Sequence, residues 1–292
     1  MTAGGHAPQG SHEASGRAVT GPTAMGSDPK RFWHLAWTLA TTEFKLRFFG
    51  SVLGYFWQLM RPLMLFAVMY VVFVVVLDAG GDLPLFGIAL LLGIVVFQFF
   101  TDSTALSIRS LANSENLVRK IDFPRAAIPI SCVLQALFNF GLNLIPVSIF
   151  LIAAGGEIRV QWLELPLILA VLIVFVTGLS LLLSALFVSF RDVEPIWEVT
   201  SQALFYGTPI IYSLSIVIDK VGIGVAQIML INPLASAIQQ LRHAVVDPSY
   251  VSPSNVFGTS AGLLLPIGIS LIAFAAGALY FRRSAPLIAE RL

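Results

Sequence analysis

Six runs of mostly apolar residues, each of the roughly 20-residue length a helix needs to cross a bilayer, constrain this chain more than any other feature. They fall near Tyr55–Leu77, Pro84–Ala105, Ala126–Ala154, Leu165–Phe190, Pro195–Ile218 and Val256–Phe281. In lipid each backbone N–H and C=O must find a partner inside the structure, so such runs predict helices. Pro146 and Gly178 interrupt the third and fourth runs, a tolerable feature where neighbouring helices re-satisfy the backbone. The chain is 57% hydrophobic and 11% charged, whereas soluble domains carry about a quarter charged residues. The expected fold is an all-α integral membrane protein with six transmembrane helices.

The segments outside these runs divide the chain further. Residues 1–29 are Gly, Ser, Ala, Thr and Pro without the apolar core of a signal peptide, and are expected as a disordered cytoplasmic tail. In residues 30–54, Trp33, Trp37, Ala40, Phe44 and Phe48 recur at helical spacing, with Leu35, Leu39 and Leu46 as a weaker second stripe. Together with Lys45 and Arg47 they suggest an interfacial amphipathic helix, bent away from the first span at Gly50 and Gly54. Residues 55–283 form the six-span domain, and 284–292 a cytoplasmic C-terminal tail. Between the fifth and sixth spans, Val221–Ile231 is too short to cross and Pro233–Val246 is mixed, which fits re-entrant or interfacial helices.

Basic residues orient the chain. With the N-terminus inside, fourteen of the 17 Lys and Arg residues lie on the cytoplasmic side, leaving Arg159, Lys220 and Arg242 outside. The positive-inside rule demands that asymmetry, so both termini are expected in the cytoplasm of a multi-pass inner-membrane protein. The same side receives Ser110–Arg125, a short polar segment between two long apolar runs. There Glu115 and Arg119 sit at i and i+4, Leu117, Val118 and Ile121 make one apolar edge, and Phe123-Pro124 stops the helix. The segment reads as a short amphipathic helix on the membrane surface, or as a solvated loop with a chance turn of helix.

Several chemistries have no support. No Gly-Lys dipeptide exists, so no Walker A loop does either, and neither HExxH nor GxSxG appears. The single cysteine, Cys132, sits in an apolar run, and histidines and carboxylates are scattered, so no metal site is expected. A net charge of +1 gives no reason to expect nucleic acid. Arg61, Asp102 and Glu198 lie inside or at the ends of spans, where a functional role competes with snorkelling or mutual pairing.

Ordered motifs then resemble one family. Lys45-Leu-Arg47-Phe48-Phe-Gly-Ser51-Val-Leu53-Gly54-Tyr-Phe-Trp57, followed by Pro62, is similar to the approach to the first span in ABC-2 type permeases that export polysaccharides. Asn116-Leu117-Val118-Arg119-Lys120-Ile-Asp122-Phe123-Pro124-Arg125 resembles that family's N-L-[IV]-x-K-x-x-F-P-R segment, with Asp122 where an aromatic is common. Arg191-Asp192-Val193, Thr208-Pro209-Ile-Ile-Tyr212, Asn232-Pro233 and Leu241-Arg242 follow in order, while the Ser284-Ala285-Pro286 ending departs from the pattern.

The resemblance implies a transport subunit, not an enzyme, that dimerises with a second copy and pairs with two ATP-binding subunits holding the ATP and Mg. No cofactor is expected in this chain. Glu115, Asn116, Leu117, Val118, Arg119, Lys120, Phe123, Pro124 and Arg125 would form the coupling helix against the ATPase. Trp33, Trp37, Phe48, Leu53, Gly54 and Trp57 would meet membrane lipid and gate its access, and short gate helices would fill the region before the sixth span. The cargo is a polyprenyl-pyrophosphate-linked glycan such as O antigen, teichoic acid or galactan, and an Arg-over-Lys, Ala/Gly/Val-rich composition tilts this towards galactan. Arg47 and Arg61 would meet the pyrophosphate head, since guanidinium suits such oxyanions. Phe97, Phe100, Phe138, Phe205, Tyr206 and Tyr212 are candidate sugar-stacking faces along the path. An ABC-2 exporter of a drug or small lipid fits the motifs less well. An ATP-independent lipid-linked sugar flippase usually shows internal repeats and midplane carboxylates, and no repeat is visible here.

Overall fold

The computed structural model describes residues 28–48, 52–81, 83–115, 124–157 and 159–291, and every regular element in them is helical. Five helices are long and apolar enough to cross a bilayer: Phe56–Val76, Phe86–Asn113, Ala127–Ala153, Val160–Ser189 and Leu264–Pro286. In chain order the elements are α1 (Pro29–Phe48), α2 (Val52–Met69, continued by a π-helical turn, Tyr70–Val76) and α3 (Phe86–Asn113). Next come α4 (Ala127–Ala153), α5 (Leu165–Ser189, entered through a 3₁₀ turn at Val160–Glu164) and α6 (Val193–Gly207). Three short helices follow, α7 (Leu214–Val221), α8 (Ile223–Ile231) and α9 (Pro233–Leu241), then α10 (Pro253–Phe257) and the long α11 (Leu264–Arg291). The chain is an all-α integral membrane protein.

Helix α3 is the centre. Its sequence is apolar on every side through its first half, the pattern of a helix surrounded by others. Leu90, Leu91, Ile94, Phe99 and Phe100 are all buried, in one cluster with Val133, Ala136 and Phe140 of α4 and Leu172 and Val176 of α5. Helix α2 lies at the periphery, with Met64, Val68, Val71 and Val75 exposed. Helices α5 and α11 approach most closely at two glycines. A Cβ on Gly178 would stand 2.5 Å from the Phe274 Cα, and one on Gly277 would strike the Gly178 carbonyl. Small residues at such crossings let membrane helices pack backbone to backbone.

Helix α1 places Ala36 and Ala40, one turn apart and fully buried, against Ala127 and Leu134 of α4. Trp33 and Trp37 stay 53% and 48% exposed. The two-sided stripe therefore has its protein face on the alanines and its open face on the tryptophans. The helix was expected to continue to residue 54. The structure instead starts α2 at Val52, so Leu53 and Gly54 belong to α2.

Three of the expected spans have different bounds, and the second, expected to end at Ala105, continues as α3 to Asn113 through the first residues of the segment from Ser110. The run Pro195–Ile218 is not one continuous helix: α6 stops at Gly207 after 15 residues, about 22 Å of rise against a hydrocarbon core of about 30 Å. The break has a local cause, because Thr208 precedes Pro209 and is pushed to extended backbone, φ −96° and ψ 135°. The last run, expected from Val256, divides at Gly258, whose φ of 72° ends α10, and α11 begins at Leu264. Helix α11 then runs on to Arg291, through the residues expected as a C-terminal tail. Its end is packed: Ala285 and Ile288 are buried with Leu111, Ala126 and Ile128.

The region between α6 and α11 is made of the short helices α7 to α10, and α9 is buried nearly throughout. Asn232 caps it by accepting from the Leu234 N–H at 3.0 Å, and Pro233 occupies the first turn. Behind α9, Arg242 is completely buried. Its Nε donates to the Ala89 carbonyl at 3.1 Å, and its two terminal nitrogens donate to the Pro209 and Ile210 carbonyls at 2.6 and 2.7 Å. Arg242, expected among the outer-side charges, is an internal clamp rather than a solvated one, and Gly93 makes room for it, since a Cβ there would lie 3.1 Å from the guanidinium. Nearby, Arg159 pairs with Asp247 at 3.4 Å. Burial alone would raise the Asp247 pKa, but hydrogen bonds from Ser249 and Arg159 outweigh it and the net shift is downward.

Replacing Arg242 with Met strands the Ala89, Pro209 and Ile210 carbonyls, and at roughly 1–3 kcal/mol per buried unsatisfied group the loss should be several kcal/mol. Thermal unfolding of the purified protein in detergent should show a large drop, only partly recovered in Arg242→Lys, whose single ammonium lacks the planar fork. An unchanged melting temperature would show that the clamp carries no stability.

Candidate functional site

A cavity of about 650 Å³ opens along one side of the bundle, walled by α2, α3 and α6. Its residues follow helical periodicity on two facing elements. On α3 they are Ile94, Phe97, Gln98, Thr101, Asp102, Ala105 and Ile108; on α6 they are Glu194, Trp197, Glu198, Ser201, Gln202, Phe205 and Tyr206. Arg61, Pro62, Leu65 and Met69 come from α2. Spacings of three and four residues put each set on a single helix face.

The register of the two main walls is fixed by specific contacts. At one end Arg109 Nε donates to Glu194 Oε2 at 2.6 Å, an exposed pair worth about 0–1 kcal/mol. One turn along, Trp197 Nε1 donates to Thr104 Oγ1 at 3.0 Å, and the Thr104 hydroxyl donates to the Phe100 carbonyl at 2.9 Å. The Trp197 and Phe100 rings lie 5.8 Å apart, and Phe97 meets Phe205 edge-on at 5.0 Å. These pairs run antiparallel, so Asp102 and Glu198 stand at the same level of the groove. From the Arg109–Glu194 end the wall thus presents Trp197 with two carboxylates, then the hydroxyls and amides of Thr101, Gln98, Ser201 and Gln202, then Phe97, Phe205 and Tyr206.

This arrangement offers flat apolar faces alternating with hydrogen-bonding groups. Among the described residues no group of three or more His, Cys, Asp or Glu side chains is placed to hold a metal ion.

The candidate residues named from sequence separate into groups. Phe97, Phe100, Phe205 and Tyr206 come together here, with Phe100 behind the wall, stacked on Phe175 at 6.2 Å. Phe138 does not: it packs between helices, 5.3 Å from Trp37 and 5.6 Å from Phe44, and so anchors α1 to α4. Tyr212 lies in the turn after α6 and donates to the Tyr206 carbonyl at 3.2 Å. Arg61 borders the cavity and is exposed, and Trp57 is 60% exposed on α2. The side chains of Arg47, Phe48 and Leu53 lie outside the described residues, as does the segment 116–123 that carries most of the proposed coupling helix. Of that segment's neighbours, Glu115 ends the described chain after α3, while Pro124 and Arg125 are buried. Arg125, named with the coupling residues, points inward and donates to the Ala285 carbonyl of α11. Sequence reading did not identify the polar wall formed by Gln98, Thr101, Ser201 and Gln202. The signal was present, since α6 carries Glu194, Trp197, Glu198, Ser201, Gln202 and Phe205 on one stripe inside an otherwise apolar run.

Trp197→Phe keeps an aromatic face and removes only the bond to Thr104, so it should cost about 1 kcal/mol. Detergent-solubilised protein should show that as a small fall in melting temperature, with Trp197→Ala falling much further. Equal losses for the two would mean that the bond, rather than the ring, holds α6 to α3.

Comparison with known proteins adds independent information. Residues 34–246 match the family model described as ABC-2 type transporter. An O-antigen export system permease protein RfbA from Klebsiella pneumoniae is 31% identical over 226 residues, covering 75% of this chain and 85% of the relative. A second protein of that name from the same organism is 29% identical over 238 residues, covering 80% and 88%. One from Myxococcus xanthus is 29% identical over 201 residues, covering 68% and 75%.

Proposed function

This chain belongs to the ABC-2 type transporter family, and from that membership we propose that it is the membrane-spanning subunit of a polysaccharide exporter driven by a separate ATPase. The cargo is a polyprenyl-pyrophosphate-linked glycan, galactan among the candidates, moved from the cytoplasm across the inner membrane. Both termini are cytoplasmic, and the assembly is two copies of this chain with two ATP-binding subunits that bind ATP and Mg.

The observation that carries this reading is the groove between α2, α3 and α6. Sugars stack their C–H faces on aromatic rings and exchange hydrogen bonds through their hydroxyls, and the wall supplies both kinds of surface in alternation. The groove is open on the side of α2 and α6, where Val68, Ile196, Val199 and Tyr206 are exposed, so a second copy placed there converts two half-grooves into one path. Arg61 stands on the α2 wall as the cation for a pyrophosphate head. Trp33 and Trp37 on the open face of α1 suit the headgroup region of the bilayer.

The motor reaches this groove through the segment after α3. That helix forms one wall of the groove and ends at Asn113, directly before the proposed coupling segment in sequence, so a push there is delivered to the groove wall. Co-purification with the neighbouring ATPase and ATP-dependent export of lipid-linked glycan from reconstituted vesicles test the assignment; failure of the ATPase to bind would overturn it.

Leu117→Asp places a charge on the apolar edge of the coupling helix and should leave the spans folded while uncoupling ATP hydrolysis from export. Normal export by that variant would count against docking there. Arg61→Ala should lower substrate-stimulated ATPase activity while the complex still assembles; undiminished stimulation would remove Arg61 from the headgroup site.

A further inference from the structure

A second cavity, of about 300 Å³, shares no residue with the groove and is walled mainly by α5, α9 and α11. It lies where α5 begins, whereas the far end of α5 packs Leu181 and Ala185 against Leu111 and Ala126, so with cytoplasmic termini the cavity is at the outer leaflet. Glu164, Leu167, Ile168 and Val171 recur at three- and four-residue spacing and share one face. That face descends about 10 Å from a carboxylate to purely apolar side chains. Pro266 and Ile267 of α11 also line the cavity, and Leu167, Leu264 and Leu265 are exposed, so it opens on an apolar surface suited to lipid. Its polar end presents acceptors. A carboxylate only accepts, so the Gln240 amide turns its nitrogen to Glu164, with Nε2 donating to Oε2 at 2.6 Å. That leaves Gln240 Oε1 buried without a hydrogen-bond partner among the described residues. No Lys, Arg or His is among the described residues that line the cavity. An occupant that satisfies this end donates hydrogen bonds, carries positive charge and continues into an apolar chain.

We propose that this cavity is a binding site for a phospholipid with a primary ammonium headgroup, its ammonium between Glu164 and Gln240 Oε1 and the start of one acyl chain against Leu167, Val171 and Ile267. A primary ammonium has three N–H donors and reaches both acceptors at once, whereas a quaternary ammonium carries the charge without a donor. Hydrogen bonds to charged groups are the stronger kind, and the bound headgroup also removes the cost of leaving a buried amide oxygen unpaired. An anionic headgroup would meet the Glu164 carboxylate with no lining cation to offset it. The seated lipid ties α5, α9 and α11 together at this end of the bundle. None of these residues lies on the proposed polysaccharide path, so the site stands or falls independently of the cargo.

The test titrates the full chain, purified and delipidated in detergent, with four probes and reads bound lipid by native mass spectrometry. Three are phosphatidylethanolamine, phosphatidylcholine and phosphatidylglycerol with identical acyl chains; the fourth is glycerophosphoethanolamine, the same amine headgroup without chains. Wild-type protein should bind the ethanolamine lipid about tenfold more tightly than the choline or glycerol lipid, the factor one charge-assisted hydrogen bond supplies, and should not retain the chainless amine. Glu164→Gln keeps an acceptor for Gln240 and removes the charge, so at an unchanged melting temperature it should bring the ethanolamine lipid down to the level of the choline lipid. Val171→Phe fills the apolar end and should abolish binding of all three lipids at this site; where that variant does not fold, the Glu164→Gln ratio decides alone. Equal binding of ethanolamine and choline lipids, tighter binding of the glycerol lipid, or a preference that survives Glu164→Gln would overturn the proposal. Binding of glycerophosphoethanolamine as tight as that of its lipid would overturn it too, by making the ligand a soluble amine.

Discussion

The guanidinium of Arg242 ties together parts of the fold that no apolar contact could hold in register. Three carbonyls converge on it, one from the first turn of α3 and two from the break that follows α6. Those two carbonyls belong to a segment that has left helical conformation, where in lipid they would otherwise lack partners. The side chain satisfies the broken backbone and at the same time fixes where α6 ends. Because Arg242 follows α9, it also seats the three short helices on the rest of the bundle. The charge is held by carbonyl dipoles, and Gly93 leaves the space it needs.

From that clamp the groove follows. Helix α6 buries none of its residues deeply and rests on the core through partly buried rings, Trp197 on Phe100 and Phe205 on Phe97. It is held at one end by the Arg242 contacts just past Gly207, in the middle by Trp197 on Thr104, and at the other end by Glu194 on Arg109. Two of these attachments end on α3, the most deeply buried helix, while α2 closes the groove from the periphery with much of its surface exposed. One wall is therefore deeply packed and two are lightly held.

Much of the bundle was legible from sequence. The third and fourth spans begin and end within a residue or so of their apolar runs, because a helix long enough to cross lipid cannot stop inside it without exposing backbone. The helix over Pro29–Phe48 was legible from its aromatic spacing, but its buried face was not: Ala40 was grouped with the tryptophans, which stay open, and Ala36 carried no signal at all. The fifth run misled because hydropathy does not register a backbone break: Thr208-Pro209 sits in the midst of apolar residues. Phe138 misled for a related reason, since an aromatic on α4 carries no mark of whether it faces a path or a neighbouring helix.

The sequence by itself determined that this chain is a bundle of membrane helices, where most of them lie, and which family it belongs to, because those properties reside in local apolarity and in short ordered motifs. The tertiary structure decided which polar residues share a space. Arg242 read as an outer-side charge and became an internal clamp, Arg125 turned inward to α11, and Asp102 came level with Glu198 across a groove. Each of these outcomes depends on how helices distant in sequence are rotated about their axes. That rotation is set by where the helices pack closest, as at Gly178 and Gly277, and no single segment carries it.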